Sequence, residues 1–453
     1  MKQNKSLSSA NVKRLALLGV GLIGLGGSVS SMAGYQVHSP GPLLTLGKTT
    51  HPSTTLSFTS NPAGGELLLG KDESLRMGYF SSLGIDIETG DVDNFIDDVD
   101  DLKDALDKDD LTLSEAIDIK NRFEDILPVM GEDAQVTVGL GLHVPLMPFA
   151  IRSDLLGGVI SFDLQAQGIF DTRFLDDTLD IQLTGSDVNL VTSSAIYVKG
   201  GSILTGSVGY SREIWNPAPF GLSTNLYAGI QTNVYKVSLN KQVLALENML
   251  EDDDIGDAIR DEFDENTVDT TQVGVDLGLM WALPNGQVGV TVSNINEPEF
   301  DYGDIGKNCA SISDPTRQSN CNVAQQVFGD EIALSETAVM SSQTTVEGAL
   351  YTEDKTWLLS GAADVNSTFD LVGRERQYVS ASASYFSNSY ILPSVRFGVS
   401  KNLVGSELTV VGFGTTLFGM VNIDLSASLD QVEVDGTEVP RQVGFNIGIE
   451  EKF

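Results

Sequence analysis

Apolar side chains alternate strictly with glycine or polar residues through segments of 10 to 14 residues, and no other feature limits the fold of this chain as tightly. In Ala134 to Val144, Val136, Val138, Leu140, Leu142 and Val144 fall on one side, with Gln135, Thr137, Gly139, Gly141 and His143 on the other. Thr271 to Leu283 sets Val273, Val275, Leu277, Leu279, Trp281 and Leu283 against Gln272, Gly274, Asp276 and Gly278. Met420 to Asp430 sets Val421, Ile423, Leu425, Ala427 and Leu429 against Asn422, Asp424, Ser426 and Ser428. In a strand, a period of two gathers each set on one face of the sheet. A soluble sandwich shares that period, but its strands average about five or six residues, whereas a tilted bilayer-spanning strand needs about nine to eleven. The opposite face, rich in Gly and small polar residues, is what a solvated lumen would present. The pattern therefore predicts an all-β fold, a transmembrane antiparallel β-barrel.

Candidate strands lie near 74–88, 134–145, 157–170, 193–199, 202–212, 221–239, 268–283 and 286–296, and then near 338–351, 356–366, 377–387, 393–401, 406–416, 419–430 and 442–453. Bacterial single-chain barrels favour even strand numbers. Segment 193–199 is the one we discard, which leaves about fourteen. Two acidic stretches read as helical insertions from the barrel rim, near 91–130 and 241–265. In the first, Phe95, Val99, Leu102 and Leu106 recur at helical spacing, and Thr112 with Glu115 forms a capping-box pattern ahead of Ile119, Phe123 and Ile126. In the second, Val243, Leu246 and Leu250 and then Ile259 and Phe263 do the same. Glu251 to Glu262 resembles a calcium loop only in part, since Ile255 stands at a ligand position, so no metal site is expected.

The first thirty-odd residues read as an export signal. Lys2, Lys5, Lys13 and Arg14 precede the apolar run Leu15 to Leu25, too short for a membrane helix, and Ser31-Met32-Ala33 places cleavage after Ala33. Removing those four bases from 27 leaves 23 against 63 acidic residues, a net charge of −40, which repels nucleic acid. Asp91 to Asp133 holds 16 acids and four bases, and Glu247 to Glu265 holds ten and one. Beyond the signal no apolar run reaches the ~18 residues of a membrane helix. Cys309 and Cys321 share one polar stretch, and an exported chain meets an oxidising compartment, so a disulfide is expected.

The expected organisation is thus a signal peptide (1–33), an N-terminal plug (34–73) and a barrel (74–453). The plug assignment rests on a stretch rich in Pro, Ser, Thr and Gly that contains Asn61-Pro62-Ala63-Gly64. Here the chain resembles the FadL/TodX family of outer-membrane channels for hydrophobic compounds, whose plug carries an Asn-Pro-Ala motif before the first strand. Val288 to Asn294 and Leu392 to Val399 resemble barrel segments of its TraF-type branch, the plasmid conjugal transfer proteins, as does the Thr415 to Met420 turn. The last segment, with Phe445, Ile447, Ile449 and Phe453 on one face, resembles the signal read by the barrel-assembly machinery, although Glu451 departs from the pattern. These resemblances imply the outer membrane, with lipid around the barrel and a hydrophobic small molecule as ligand.

An enzyme is not expected. His38 and His51 fall in or near the plug, His143 faces the polar side of its strand, and no nucleophile elbow, metal-binding His pair or phosphate loop occurs. No cofactor is expected either. Asp86, Asp276, Asp364 and Asp424 on lumenal positions read as solvation or ion selectivity. The first functional reading is a plugged channel for hydrophobic molecules. The alternative is a structural or docking component of the envelope or of a conjugal transfer apparatus, and an open cation-preferring porin comes third. Within the plug, Leu43, Leu44, Leu46, Leu56, Phe58, Leu67, Leu68 and Leu69 either line a ligand pocket or pack on the barrel interior.

Overall fold

The alternating segments form strands that pair only with their antiparallel neighbours and return to the first, closing a barrel. The computed structural model describes residues 39–69, 73–108, 110–185, 187–216, 224–249 and 266–450. The signal segment with its cleavage point after Ala33, His38, residues 250–265 and Phe453 lie outside them. In chain order the barrel strands are β1 (Leu75–Thr89), β2 (Gln135–His143), β3 (Phe149–Ser153), β4 (Gly158–Leu175), β5 (Ala195–Trp215), β6 (Asn225–Ala245), β7 (Val268–Leu283) and β8 (Gly286–Ser293). They continue as β9 (Gln343–Tyr351), β10 (Trp357–Asp364), β11 (Tyr378–Tyr385), β12 (Ser394–Asn402), β13 (Thr409–Leu417), β14 (Val421–Ser428) and β15 (Gln442–Glu450). Strands β2 and β3 both lie between β1 and β4, end to end, so fifteen segments fill fourteen positions.

Two sequence expectations need correction. Segment 193–199 is no false strand: residues 195–199 run without a break into 202–212 as the 21-residue β5. The count of fourteen survives because β3, unforeseen, completes the position that β2 begins. Val243, expected on a helix, lies in β6, and the chain turns into a short 3-10 segment only at Leu246–Met249. The first insertion forms two helices, α1 (Phe95–Leu106) and α2 (Leu113–Asp133), the second opened by the capping box of Thr112 and Glu115.

Outward positions carry the apolar set. Val273, Leu277, Leu279 and Trp281 of β7 are exposed, whereas Asp276 and Met280 between them are buried. All three Trp, at 215, 281 and 357, are exposed at strand ends that join through short connections, as expected of an interfacial aromatic girdle. The opposite end carries long connections at 90–134, 176–194 and 294–342. Short turns belong on the periplasmic side of such barrels and long loops outside.

The wall is lopsided. Strands β8 to β15 have eight or nine residues, while β5 and β6 have 21 each. At ~3.3 Å per residue and a tilt near 45°, 21 residues rise about 50 Å, roughly twice the ~25 Å apolar band. The surplus stands above the membrane with both faces covered. On its outer face Phe170, Phe174 and Leu244 pack against Phe123, Leu127 and Met130 of α2. On its inner face Leu175, Tyr197 and Val243 pack against Ala324, Phe328 and Ile332 of the 294–342 loop. That loop holds helix α3 (Pro315–Gln326) and the disulfide Cys309–Cys321.

Candidate functional site

The lumen is filled by the N-terminal segment rather than open. Described residues from Leu43 to Leu69 lie inside the barrel as short helical turns, at Leu43–Leu46, Ser57–Ser60, Pro62–Gly64 and Gly65–Leu68. Pro62 supplies the fixed φ of a first helical position, and Asn61 caps that turn, its Oδ1 accepting from the Ala63 N–H at 2.9 Å. The motif presses on wall glycines. A Cβ on Gly278 would sit 2.1 Å from Asn61 Oδ1, and one on Gly229 would sit 2.3 Å from the Pro62 carbonyl carbon. The glycines on these strands therefore give the plug its seat.

Lumenal carboxylates grip the plug. Glu347 accepts from the Thr50 backbone N–H, from the Thr50 hydroxyl at 2.9 Å and from Asn61 Nδ2 at 3.0 Å. Glu450 accepts from Thr54 Oγ1 at 2.9 Å, from Thr55 N at 2.7 Å and from Asn422 Nδ2 at 2.8 Å. Asp424 accepts from Thr45 Oγ1 at 2.7 Å and pairs with the buried Arg396 at 2.9 Å. Asp364 holds Lys48 at 3.1 Å. Of the acids singled out in the sequence, Asp364 and Asp424 are plug anchors. Asp276 binds Asn233 Nδ2 and the Asn294 N–H, while Asp86 binds Gln442. They make defined contacts in place of bulk solvation. Glu347 and Glu450 went unnoticed, although each sits on the polar side of an alternating strand.

The plug's apolar residues mostly pack on the wall. Leu43, Leu46 and Leu56 meet Ala349 and Leu358, and Phe58, Leu68 and Leu69 meet Ala150 and Val159. Above the plug lies a cavity of about 200 Å³, bordered by Leu44, Lys48, Asp86, Asp364, Arg376 and Ser400. Nearer the outside, a second cavity of about 520 Å³ is bordered by Arg173, Arg374, Arg441, Glu88, Glu132 and Ser406. His51 is buried in the plug and stacks on Phe386 at 4.8 Å. His143 is buried at the end of β2, its Nε2 3.5 Å from Asp163.

Among the described residues, the wall is broken beside the plug. Between His143 and Phe149 runs Val-Pro-Leu-Met-Pro, where Pro145 and Pro148 have no N–H to give to a ladder. Opposite, β1 pairs Leu83 with Leu142 and then Met77 with Phe149, so Gly78 to Ser82 have no ladder partner there. On its other side β1 slips register against β15 at the same level, between Gly78 and Leu83. Isolated contacts bridge the gap, among them Gly78 N to Pro148 O at 2.9 Å and Ser81 Oγ to Met147 O at 2.7 Å.

Fold and lumen together define a plugged, fourteen-position transmembrane β-barrel. The chain belongs to the TraF family: the model described as "F plasmid transfer operon, TraF, protein" matches residues 59–364. No curated protein sequence matches it. Similar solved structures include the Pseudomonas putida toluene transporter TodX, at 12% identity over 94% of this chain and 100% of that one, TM-score 0.42. The Ralstonia pickettii toluene transporter TbuX is 12% identical over 92% and 98%, TM-score 0.41. A Pseudomonas aeruginosa FadL homologue is 12% identical over 93% and 100%, TM-score 0.36.

Proposed function

We propose that this protein is an outer-membrane channel for hydrophobic small molecules, which pass between the lumen and the wall beside the plug. The observation that carries this reading is the paired loss of ladder register at Val144 to Pro148 and Gly78 to Ser82. Next to the break, toward the short-turn end, the plug packs Phe58, Leu68 and Leu69 against Ala150 and Val159, while at the break itself Gly41 N donates to Ser82 Oγ. An intact ladder closes a barrel wall to solutes, while a break beside an apolar plug surface gives an apolar molecule a route toward the surrounding lipid. Lipid surrounds the wall, and insertion relies on the barrel-assembly machinery reading the last strand through Phe445, Ile447 and Ile449.

The test is uptake of a radiolabelled monoaromatic compound by proteoliposomes. Native protein should carry it, and Met147→Asp, which places a charge in the break, should reduce uptake while the barrel still shows heat-modifiable migration. No protein-dependent uptake would refute the reading. A docking role in conjugal transfer, without transport, is favoured by the helical pair that stands on the outer wall with Leu113, Ile117 and Val129 exposed. Loss of conjugation on removing α1 and α2, with no uptake by the native protein, would favour it.

A further inference from the structure

The connection between β10 and β11 reaches into the lumen instead of leaving it. Thr368–Phe369 pairs with Glu375–Arg376 as a small hairpin. Its tip is tied by one buried carboxylate: Asp370 accepts from Val372 N at 3.1 Å, Arg374 N at 2.8 Å and Arg376 Nε at 2.8 Å. Gly373, at φ +87°, takes a backbone conformation that a side chain would strain. This tight tip is buried at Leu371 and Val372, although it belongs to a connection on the long-loop side.

What buries it is the far side of the barrel. Strands β1 and β5 each lie five places round the wall from the strands that carry the hairpin. Arg374 nevertheless reaches Glu88 of β1 and the Thr137 hydroxyl of β2. In the other direction the Tyr302 hydroxyl donates to Leu371 O, and a Cβ on Gly373 would lie 3.4 Å from Lys199 Nζ of β5. Tyr302 belongs to the 294–342 loop, whose Glu336 is held in turn by Lys199 at 2.6 Å. The hairpin thus spans the lumen like a strap. Thr368 and Phe369 border the inner cavity, Arg374 and Glu375 border the outer one, and Arg376 borders both.

We propose that the hairpin Thr368–Arg376 is an outer gate, latched by Arg374 on Glu88 and Thr137, which separates a closed chamber above the plug from the extracellular mouth. This inference rests on the reading of the lumen as a solute route. It adds a second barrier, so that a solute is enclosed between strap and plug before either opens. The latch is a buried ion pair, with Glu88 4% exposed, and such a pair either holds both charges in contact or exposes both to water. That favours two discrete positions of the strap.

The experiment reads access to the chamber in the full-length protein. The two native cysteines are joined to each other, so an introduced cysteine is the one free thiol among the described residues. Ser400→Cys places it in the chamber and Ser406→Cys in the mouth. With a membrane-impermeant maleimide added outside intact cells, Ser400→Cys should label at least about tenfold more slowly than Ser406→Cys, and Arg374→Ala should remove that difference. Equal rates with the native strap would overturn the gate. A slow Ser400→Cys left unchanged by Arg374→Ala in assembled barrels would overturn the latch. If Arg374→Ala fails to assemble, Glu88→Met with Arg374→Met removes both buried charges and is read in the same two ways. Labelling does not depend on what the protein carries. Absent uptake with a protected chamber would therefore fail the transport reading alone, and an open chamber with normal uptake would fail the strap alone.

Discussion

Replacing Glu347 by Ala tests whether the lumenal acids hold the plug. Glu347 is 5% exposed and receives three hydrogen bonds, from Thr50 N, Thr50 Oγ1 and Asn61 Nδ2, and both donor residues are fully buried. A hydrogen bond to a charged group contributes about 1.5–3 kcal/mol, so the three sum to roughly 4–9 kcal/mol before any offset. Relief of the buried carboxylate returns a part of that, several kcal/mol by the usual desolvation penalty. A net loss of about 3 kcal/mol in plug docking is the expected result, equivalent to roughly 150-fold more frequent undocking. Glu347→Gln, which keeps one acceptor oxygen, should lose about 1 kcal/mol. Amide hydrogen exchange is the assay. The backbone of the Thr50 to Gly64 segment should exchange about a hundredfold faster in Glu347→Ala, while the strands keep their protection and the barrel its heat-modifiable migration. Unchanged plug protection would show that the carboxylate is no anchor. Strands that lost protection together with the plug would show that plug and barrel unfold as one unit, which would equally refute Glu347 as an anchor of the plug alone.

Gly278→Val puts methyl groups where Asn61 Oδ1 sits, so the plug should unseat as in Glu347→Ala, read by protease sensitivity of the plug in assembled barrels. Cysteine-to-serine replacement at 309 and 321 opens a loop with a sequence separation of 12, worth about 3 kcal/mol in the chain-entropy model, and should raise exchange within 294–342 while sparing the strands. Thr112→Ala removes the cap of α2 and should cost about 1 kcal/mol of local stability, seen as faster exchange in its first turns. The same cap is pH-dependent. The Thr112 backbone N–H and hydroxyl, with Lys108 beside them, hold the Glu115 carboxyl down at about 2 from an ordinary 4.5. A depressed carboxyl stabilises the folded form above its unfolded value, so α2 protection should be constant above pH 4.5 and fall as pH drops toward 2; protection that rose in that window would reverse the sign.

The barrel was legible because its signal is local. Alternation over Val273 to Leu283 reports which face each side chain takes, and in lipid the apolar face must point out, so fold class follows from one strand's pattern repeated. The capping box at Thr112 was legible for the same reason, being a relation between residues three apart. Two errors came where the pattern has no local mark. Lys199 and the Gly200-Gly201 pair interrupt apolar alternation inside β5, so a continuous strand reads as two. The Phe149–Ser153 segment is five residues long and follows Pro148, which reads as loop, and only its pairing with both β1 and β4 makes it part of the wall.

What fills a lumen leaves a weaker trace than what faces lipid. An acid on the polar face of a strand satisfies the same alternation whether it meets water or a plug, so alternation alone does not separate solvation from the contact that Asp424 makes with Thr45. The trace that did exist was in the partner: Thr45, Thr50, Thr54 and Thr55 crowd a short segment, supplying neutral hydroxyl donors for a ring of carboxylates. That choice has a consequence for how the two barriers part. A carboxylate that releases a Thr hydroxyl or a backbone N–H regains water as donor, and such exchanges leave a small net difference per bond. Of the four carboxylate anchors, Asp364 alone holds a plug cation, Lys48, which is itself one-third exposed. The plug is therefore held by many exchangeable contacts that weaken one at a time as water enters. The strap is latched by an ion pair, Arg374 with Glu88, whose separation leaves two charges to be hydrated at once. A graded inner barrier behind an all-or-none outer one follows from that difference in chemistry, and it assigns the sharper gate to the side of the barrel that faces the outside.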